Sequence, residues 1–381
     1  VDPKMEIQDG LIYKMLDKNV DVKRIIEAVK ETGKEIASKW NPYLQEELYH
    51  GRTATASKDF QNDEWLPLLK DMQERDVTVG ELEKYLLNRH AEAYNIFVAQ
   101  RNPTRPEMQD GGSSVTTENA QKYLAGLSEN QKQKFEALAK RVDAITKGTR
   151  KLLADTGYEK AETIDAWEET FPNYVPLMRE EMGFDYNFGS FGTGRGFDVR
   201  RDFSRSAMGS KRNVVDIISN VISARNNAIS LTEKNRVAQA VYGLALDAPN
   251  PDFWLAINPD LSEVREVERI KQKIAKYMSM QSKPNLTDDD LGKLKATISA
   301  EYKKLNFAKT KALAAIEKVK LELIDLGIPE ETINAIMQEP EQRIVDRKKN
   351  EVVSRVNPKL RENDYVLATR VNGERRYVFF N

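Results

Sequence analysis

Two histidines are the first residues that could do chemistry near neutral pH, because imidazole gains or loses its proton there. They are His50, within Leu48-Tyr49-His50-Gly51-Arg52, and His90, within Asn88-Arg89-His90-Ala91-Glu92. Neither has a second histidine within a helical turn, and no His-Glu-x-x-His spacing occurs, so a metal or a paired acid-base role is not indicated. Each is expected to be a hydrogen-bonded side chain at a helix terminus. The chain has no cysteine, which excludes disulfides, thiolate metal sites and cysteine nucleophiles.

The second candidate is the stretch Gly189-Ser190-Phe191-Gly192-Thr193-Gly194-Arg195-Gly196. Stacked glycines let backbone N–H groups approach an anion. The spacing fits neither a Walker loop nor a dinucleotide fingerprint, and the flanks are loop-like. The same region carries Arg195, Arg200, Arg201, Arg205, Lys211 and Arg212, with Phe191, Phe197 and Phe203 interleaved. Arginines contact phosphates and aromatics stack on unpaired bases, so residues 184–212 support an alternative reading as a nucleic-acid-binding or enzymatic loop. The 59 basic and 60 acidic side chains nearly cancel, so any such contact is local. Asp288-Asp289-Asp290 fits a helix N-terminus, where acids complement the dipole, and Glu168-Glu169 and Glu180-Glu181 form no defined acid-base pair. No serine sits in a Gly-x-Ser-x-Gly turn.

The elements that would position these residues are helical. Apolar residues recur at three-to-four spacing over 20–31, 60–72 and 82–98, and the prolines and glycines of 102–114 make a loop. Ser128 with Gln131 is a capping-box pattern opening a helix that stops at Gly157. A short helix over 163–169 leads into Phe171-Pro172-Asn173-Tyr174-Val175-Pro176-Leu177, where two prolines impose an extended path. Residues 183–209 form a long loop. Residues 213–246 form a central helix ended by Pro249 and Pro251. Two charged helices over 261–280 and 291–326 make an antiparallel hairpin projecting from the body; the second carries Leu291, Leu294, Ile298, Tyr302, Leu305, Ala312, Ile316, Val319, Leu323 and Leu326 on one stripe. Shorter helices are expected over 332–337 and 343–356. Two strands around Asn372-Gly373 then form a single β-hairpin, which must pack on the helices or pair beyond Asn381.

The fold class expected is therefore mainly α: a multi-helix bundle with a long helical hairpin and a small terminal β-hairpin. Five units are expected: an N-terminal helical domain 1–175, a Gly/Arg-rich connector 176–210, a central helix region 211–259, a charged hairpin insertion 260–356 and the β-hairpin 357–381. No run of apolar residues reaches the length of a membrane span, and no signal peptide is expected. The opening Val1-Asp2-Pro3 does not look like a natural start, so the chain is expected to be excised from a longer polypeptide.

Several stretches, taken in order, carry a family resemblance: Leu48-Tyr49-His50-Gly51-Arg52, Tyr85 to Ala91, Asp110-Gly111-Gly112-Ser113, Arg141 to Thr146, and Tyr174-Val175-Pro176-Leu177-Met178-Arg179. Together they resemble the very large polyvalent proteins of tailed phages and prophages known for a PLxRFG motif. Ala207-Met208-Gly209, Glu233-Lys234-Asn235-Arg236, residues 249–254 and Val371-Asn372-Gly373-Glu374 are similar to the family's continuation. The resemblance spans nearly the whole chain except about 261–356. Where the family has Phe-Gly after the Arg179 position, this chain has Glu180-Glu181, so a role tied to that dipeptide is not carried over. The resemblance implies a helical, architectural module. Its residues His50, Gly51, Arg52, Tyr174, Pro176, Leu177 and Arg179 are structural, and no active-site residue, metal or cofactor is implied. It also implies a protein travelling with phage DNA, located in the virion interior or the host bacterial cytoplasm. The partners implied are other domains of the parent polypeptide, or phage or host proteins.

Overall fold

The computed structural model describes residues 20–31, 33–102, 106–179, 199, 214–250, 253–258, scattered positions within 263–277, then 287–330, 333, 341–346, 351–356 and 366–380. The fold is mainly α with a small antiparallel sheet. Helix α1 (Val20–Glu31) precedes α2 (Pro42–Phe60), which is opened by the side chain of Asn41 accepting from the Leu44 N–H at 3.1 Å, with Pro42 in its first turn. This cap and proline order is the standard helix start. A π-helical turn (Gln61–Trp65) joins α2 to α3 (Leu66–Glu74). Pro67 supplies no N–H to the preceding turn, which accounts for the widened ladder there.

Helix α4 (Val79–Arg101) starts at a Thr78/Glu81 capping box, and α6 (Glu129–Asp155) at a Ser128/Gln131 capping box; α5 (Thr117–Ala125) lies between them. Gly157, at φ +68°, stops α6 where the sequence places the stop. Helix α7 (Ala161–Thr170) follows, and the 171–177 stretch is without helix or strand until β1 (Met178–Arg179), which pairs with β2 (Val214–Val215).

Helix α8 (Ile217–Asp247) is the axis of the molecule. It packs on α2, α4 and α6 and on the sheet, and it buries residues around most of its circumference, as an interior helix does. Asp216 before it is left-handed (φ 51°) and provides no side-chain cap; the carboxylate of Glu83 on α4 accepts from the Ile218 N–H at 3.0 Å instead. The main core joins Phe60, Leu68, Met72, Leu82, Leu86, Phe135, Leu138, Val142 and Ile145 with Ile218, Val221 and Ile229. Each such burial contributes roughly 1.5–3 kcal/mol relative to exposure.

The sheet orders β3 (Trp254–Ile257), β7 (Glu374–Phe380) and β6 (Val366–Val371), all antiparallel to their neighbours. Asn372 (φ 51°) and Gly373 (φ 72°) make the tight turn that their types predict. The hairpin therefore meets both of its needs within the chain: it pairs with β3 and packs on α8. The Val199 N–H donates to the Ala368 carbonyl at 2.8 Å, alongside β6.

Helix α9 (Asp288–Asp325) begins with the acidic run, capped by Thr287 and Asp290. Positions 263, 266, 267, 269–271, 273, 274 and 277 are helical, and Val267, Ile270 and Ile274 share a separate small core with Leu305, Ala308 and Ala312. The C-terminal end of α9 packs Val319 and Leu323 under the sheet, against Ile257, Val366, Tyr377 and Phe379.

Four expectations are corrected. In place of the helix expected over 343–356, Glu341–Asp346 and Glu351–Val356 are strands β4 and β5, paired antiparallel from Glu341↔Val356 to Asp346↔Glu351. Ile344, Val345, Val352 and Val353 are β-branched, and that preference outweighs the weak helical spacing. The terminal hairpin is not the only β-structure, since β3 and the β1–β2 and β4–β5 pairs accompany it. Tyr302 and Leu326 of the expected stripe are exposed, at 44% and 59%, because the buried seam runs through Ile298, Glu301, Leu305, Ala308, Ala312, Val319 and Leu323. Finally, neither histidine lies at a helix end: both sit mid-helix, His50 on α2 and His90 on α4.

Candidate functional site

Helix α2 lies along α8, and between them runs an open groove of about 490 Å³. It is lined by Glu47, Leu48, Gly51, Arg52, Thr55, Ala56 and Asp59 of α2 and by Glu233 of α8. These positions recur at three and four residues along α2, so they form one face of it. Leu48 is 44% exposed there, and a side chain at Gly51 would meet nothing. On the floor, the Arg52 Nε donates to Glu233 Oε2 at 2.6 Å and Nη2 to the Gln45 carbonyl at 3.1 Å. Arg236 Nη1 reaches Glu233 Oε1 at 3.0 Å. Both carboxylate oxygens of Glu233 are thus engaged, and the cluster ties α2 to α8. This surface can receive another surface; its charged floor is already internally paired.

His90 occupies the second notable place. Its ring is fully buried in the middle of α4, ringed edge-on by Tyr94, Phe171 and Tyr174 at centroid distances of 5.4, 5.7 and 5.7 Å. Neither Nδ1 nor Nε2 has a hydrogen-bond partner. The Arg150 guanidinium lies over the Tyr174 ring at 4.6 Å, and Arg89 pairs with Asp143 at 2.5 Å. Burial first, then the nearby Arg150 and Arg89 charges, hold the imidazole pKa down at about 3, so it is neutral at ordinary pH. Sealed from solvent, it has no reacting atom within reach. Burial likewise pushes the Tyr174 phenol up and the Arg150 guanidinium down.

The chain matches no family model, no curated protein and no solved structure.

The structure brings Gly51 and Arg52 into the groove and places His50 on the exposed side of α2, edge-on to the neighbouring Tyr49. Tyr174 joins the chamber around His90, Pro176 is buried, Leu177 is half-buried against the main core, and Arg179 pairs with Val214 across β1 and β2. Arg195, Arg200, Arg201, Arg205, Lys211 and Arg212 lie outside the described residues, as does the glycine stretch 189–196. Among the described residues no group of three His, Asp or Glu side chains could hold a metal. None of their helices is long and apolar enough to cross a membrane.

One further motif stretch, Asp110-Gly111-Gly112-Ser113, acts as a lock. Asp110 Oδ1 accepts from the Gly111 N–H, the Thr117 N–H and hydroxyl, and the buried Asn95 amide at 2.8–3.0 Å; Asn95 Oδ1 accepts from the Ser113 N–H at 2.8 Å. Gly112 presses on Val98 so closely that any Cβ would overlap it. Sequence reasoning missed α2 and with it Glu47, Thr55, Ala56 and Asp59. The helix buries little beyond Pro42, Gln45 and Phe60, so it has almost no apolar period, and the Asn41-Pro42 start was the one readable signal.

Proposed function

We propose that this chain is a structural and interaction module of a larger phage-type polyvalent polypeptide, carried in the virion or delivered with phage DNA into the host cytoplasm. The observation that supports it is the use to which the motif residues are put. Arg52 ties α2 to α8, Asp110 and Ser113 close the loop between α4 and α5, Tyr174 packs over His90, and Asn235 holds the terminal hairpin. Each joins one element to another, which is how a scaffold is built. The partners proposed are neighbouring domains of the parent polypeptide or phage or host proteins, and the α2/α8 groove is the surface offered to them. Mass spectrometry of purified virions tests the reading. Peptides of this chain are expected in the particles, as part of a product much longer than 381 residues; particles lacking them overturn it.

A further inference from the structure

We infer that His90 is an acid-operated catch that holds the 171–177 stretch against α4 and α6 while its ring is neutral and releases it when the ring is protonated. The geometry carries this. A fully buried imidazole with two unpartnered nitrogens is placed where a cation has no acceptor. The groups facing it are Arg89 and Tyr94 from α4, Arg150 from α6 and Tyr174 from the 171–177 stretch. Asp143 on α6 is engaged by Arg89, and Glu168 on α7 acts on Arg150. The ring therefore sees two guanidiniums and three aromatic rings, and a proton on it adds a third positive charge with no carboxylate facing it among the described residues.

The release falls on 171–177 because two of the three rings, Phe171 and Tyr174, belong to it, and it has neither helix nor strand of its own. Side-chain packing of Val175 and Pro176 and the Phe171 N–H to the Trp167 carbonyl hold it. The opposite walls are the long helices α4 and α6. Opening at 171–177 gives the ring water and frees the chain just before β1.

The sign follows from linkage. Imidazole in the open form protonates near its ordinary 6.5, whereas in the closed form it does so only near 3. Above 6.5 the closed form is undisturbed; between 6.5 and 3 the open form binds one more proton, and its population rises about tenfold per pH unit.

Hydrogen exchange of the full chain, corrected for intrinsic pH dependence and followed over peptides spanning 168–178, tests the inference. Between pH 7.5 and 4.5 these amides are expected to lose protection about tenfold per unit below 6.5, while the core of α8 stays protected. His90→Phe keeps a ring without a titrating group and is expected to flatten that profile. Wild-type protection that does not change with pH, or an unchanged profile in His90→Phe, overturns the inference. In the wild type, the His90 Cε1–H resonance provides an independent measurement: an imidazole titrating near 6.5 while 168–178 remains protected overturns it equally.

Discussion

Asn235 sits on α8 with no exposed surface, and its amide faces the backbone of β6. Nδ2 donates to the Arg370 carbonyl at 2.9 Å, while Oδ1 accepts from the Arg370 N–H at 2.8 Å and the Thr369 hydroxyl at 3.0 Å. Gln239, one turn on, donates to the same carbonyl and to that of Thr156. Asn235→Ala removes the amide and leaves a buried N–H and hydroxyl unpaired, so a loss of about 2–3 kcal/mol is expected. Urea unfolding should show it as a lower midpoint with unchanged slope; a midpoint within error of wild type would mean water replaces the amide. Sequence reading placed Asn235 in a motif without seeing this role. A buried asparagine and an exposed one are the same letter, and the partner lies 135 positions away. His90 was misjudged for a related reason: its chamber is assembled by Phe171 and Tyr174 from a distant stretch, which no local spacing reveals.

Elements built on local rules were legible. The capping box at Ser128, the acidic helix start at Asp288-Asp289-Asp290, the stop at Gly157 and the Asn372-Gly373 turn are encoded within four residues of where they act. Helix α2 and strand β3 were not, because one lacks an apolar stripe and the other is four residues long. Helix α9 was seen in its extent but not in its seam. Buried positions at 298, 301, 305, 308, 312 and 319 follow the three-four alternation of a coiled coil, and that register places Glu301 inside and Tyr302 outside. Glu301 is 7% exposed and pairs with Lys304 at 2.6 Å. Replacing a buried ion pair by apolar residues is often neutral or stabilising, and because Lys304 is exposed, removing Glu301 alone leaves no buried charge behind. Glu301→Leu is therefore expected to leave stability unchanged or raise it by about 1 kcal/mol at most, read as an unchanged or higher melting temperature; a clear fall in calorimetry would show that the carboxylate holds more than Lys304.

At the scale of the whole molecule, acid acts in two windows. The first belongs to His90, with stability complete above 6.5 and declining towards 3. The second belongs to Glu374, whose carboxyl is held at about 2 by hydrogen bonds from Lys160 and Arg376. A lowered carboxyl contributes stability above its ordinary 4.5 that is lost as pH falls through 2. Denaturant midpoints measured at pH 7.5, 5.5 and 3.5 should fall at each step, with His90→Phe removing the first fall and reducing the second, and Glu374→Gln reducing the second alone. A single stage insensitive to either substitution would show that other groups govern the acid response.

The order of strands has a consequence for synthesis. The middle strand β7 is the last element of the chain described, and its neighbour β3 leaves the ribosome about 120 residues earlier. At 5–20 residues per second, β3 waits roughly 6–25 s with its edge towards β7 unpaired. Until Glu374–Phe380 arrives, neither β3 nor β6 has its shared neighbour. A nascent or clipped chain short of that strand therefore presents two unpaired edges to whatever else is in the cell.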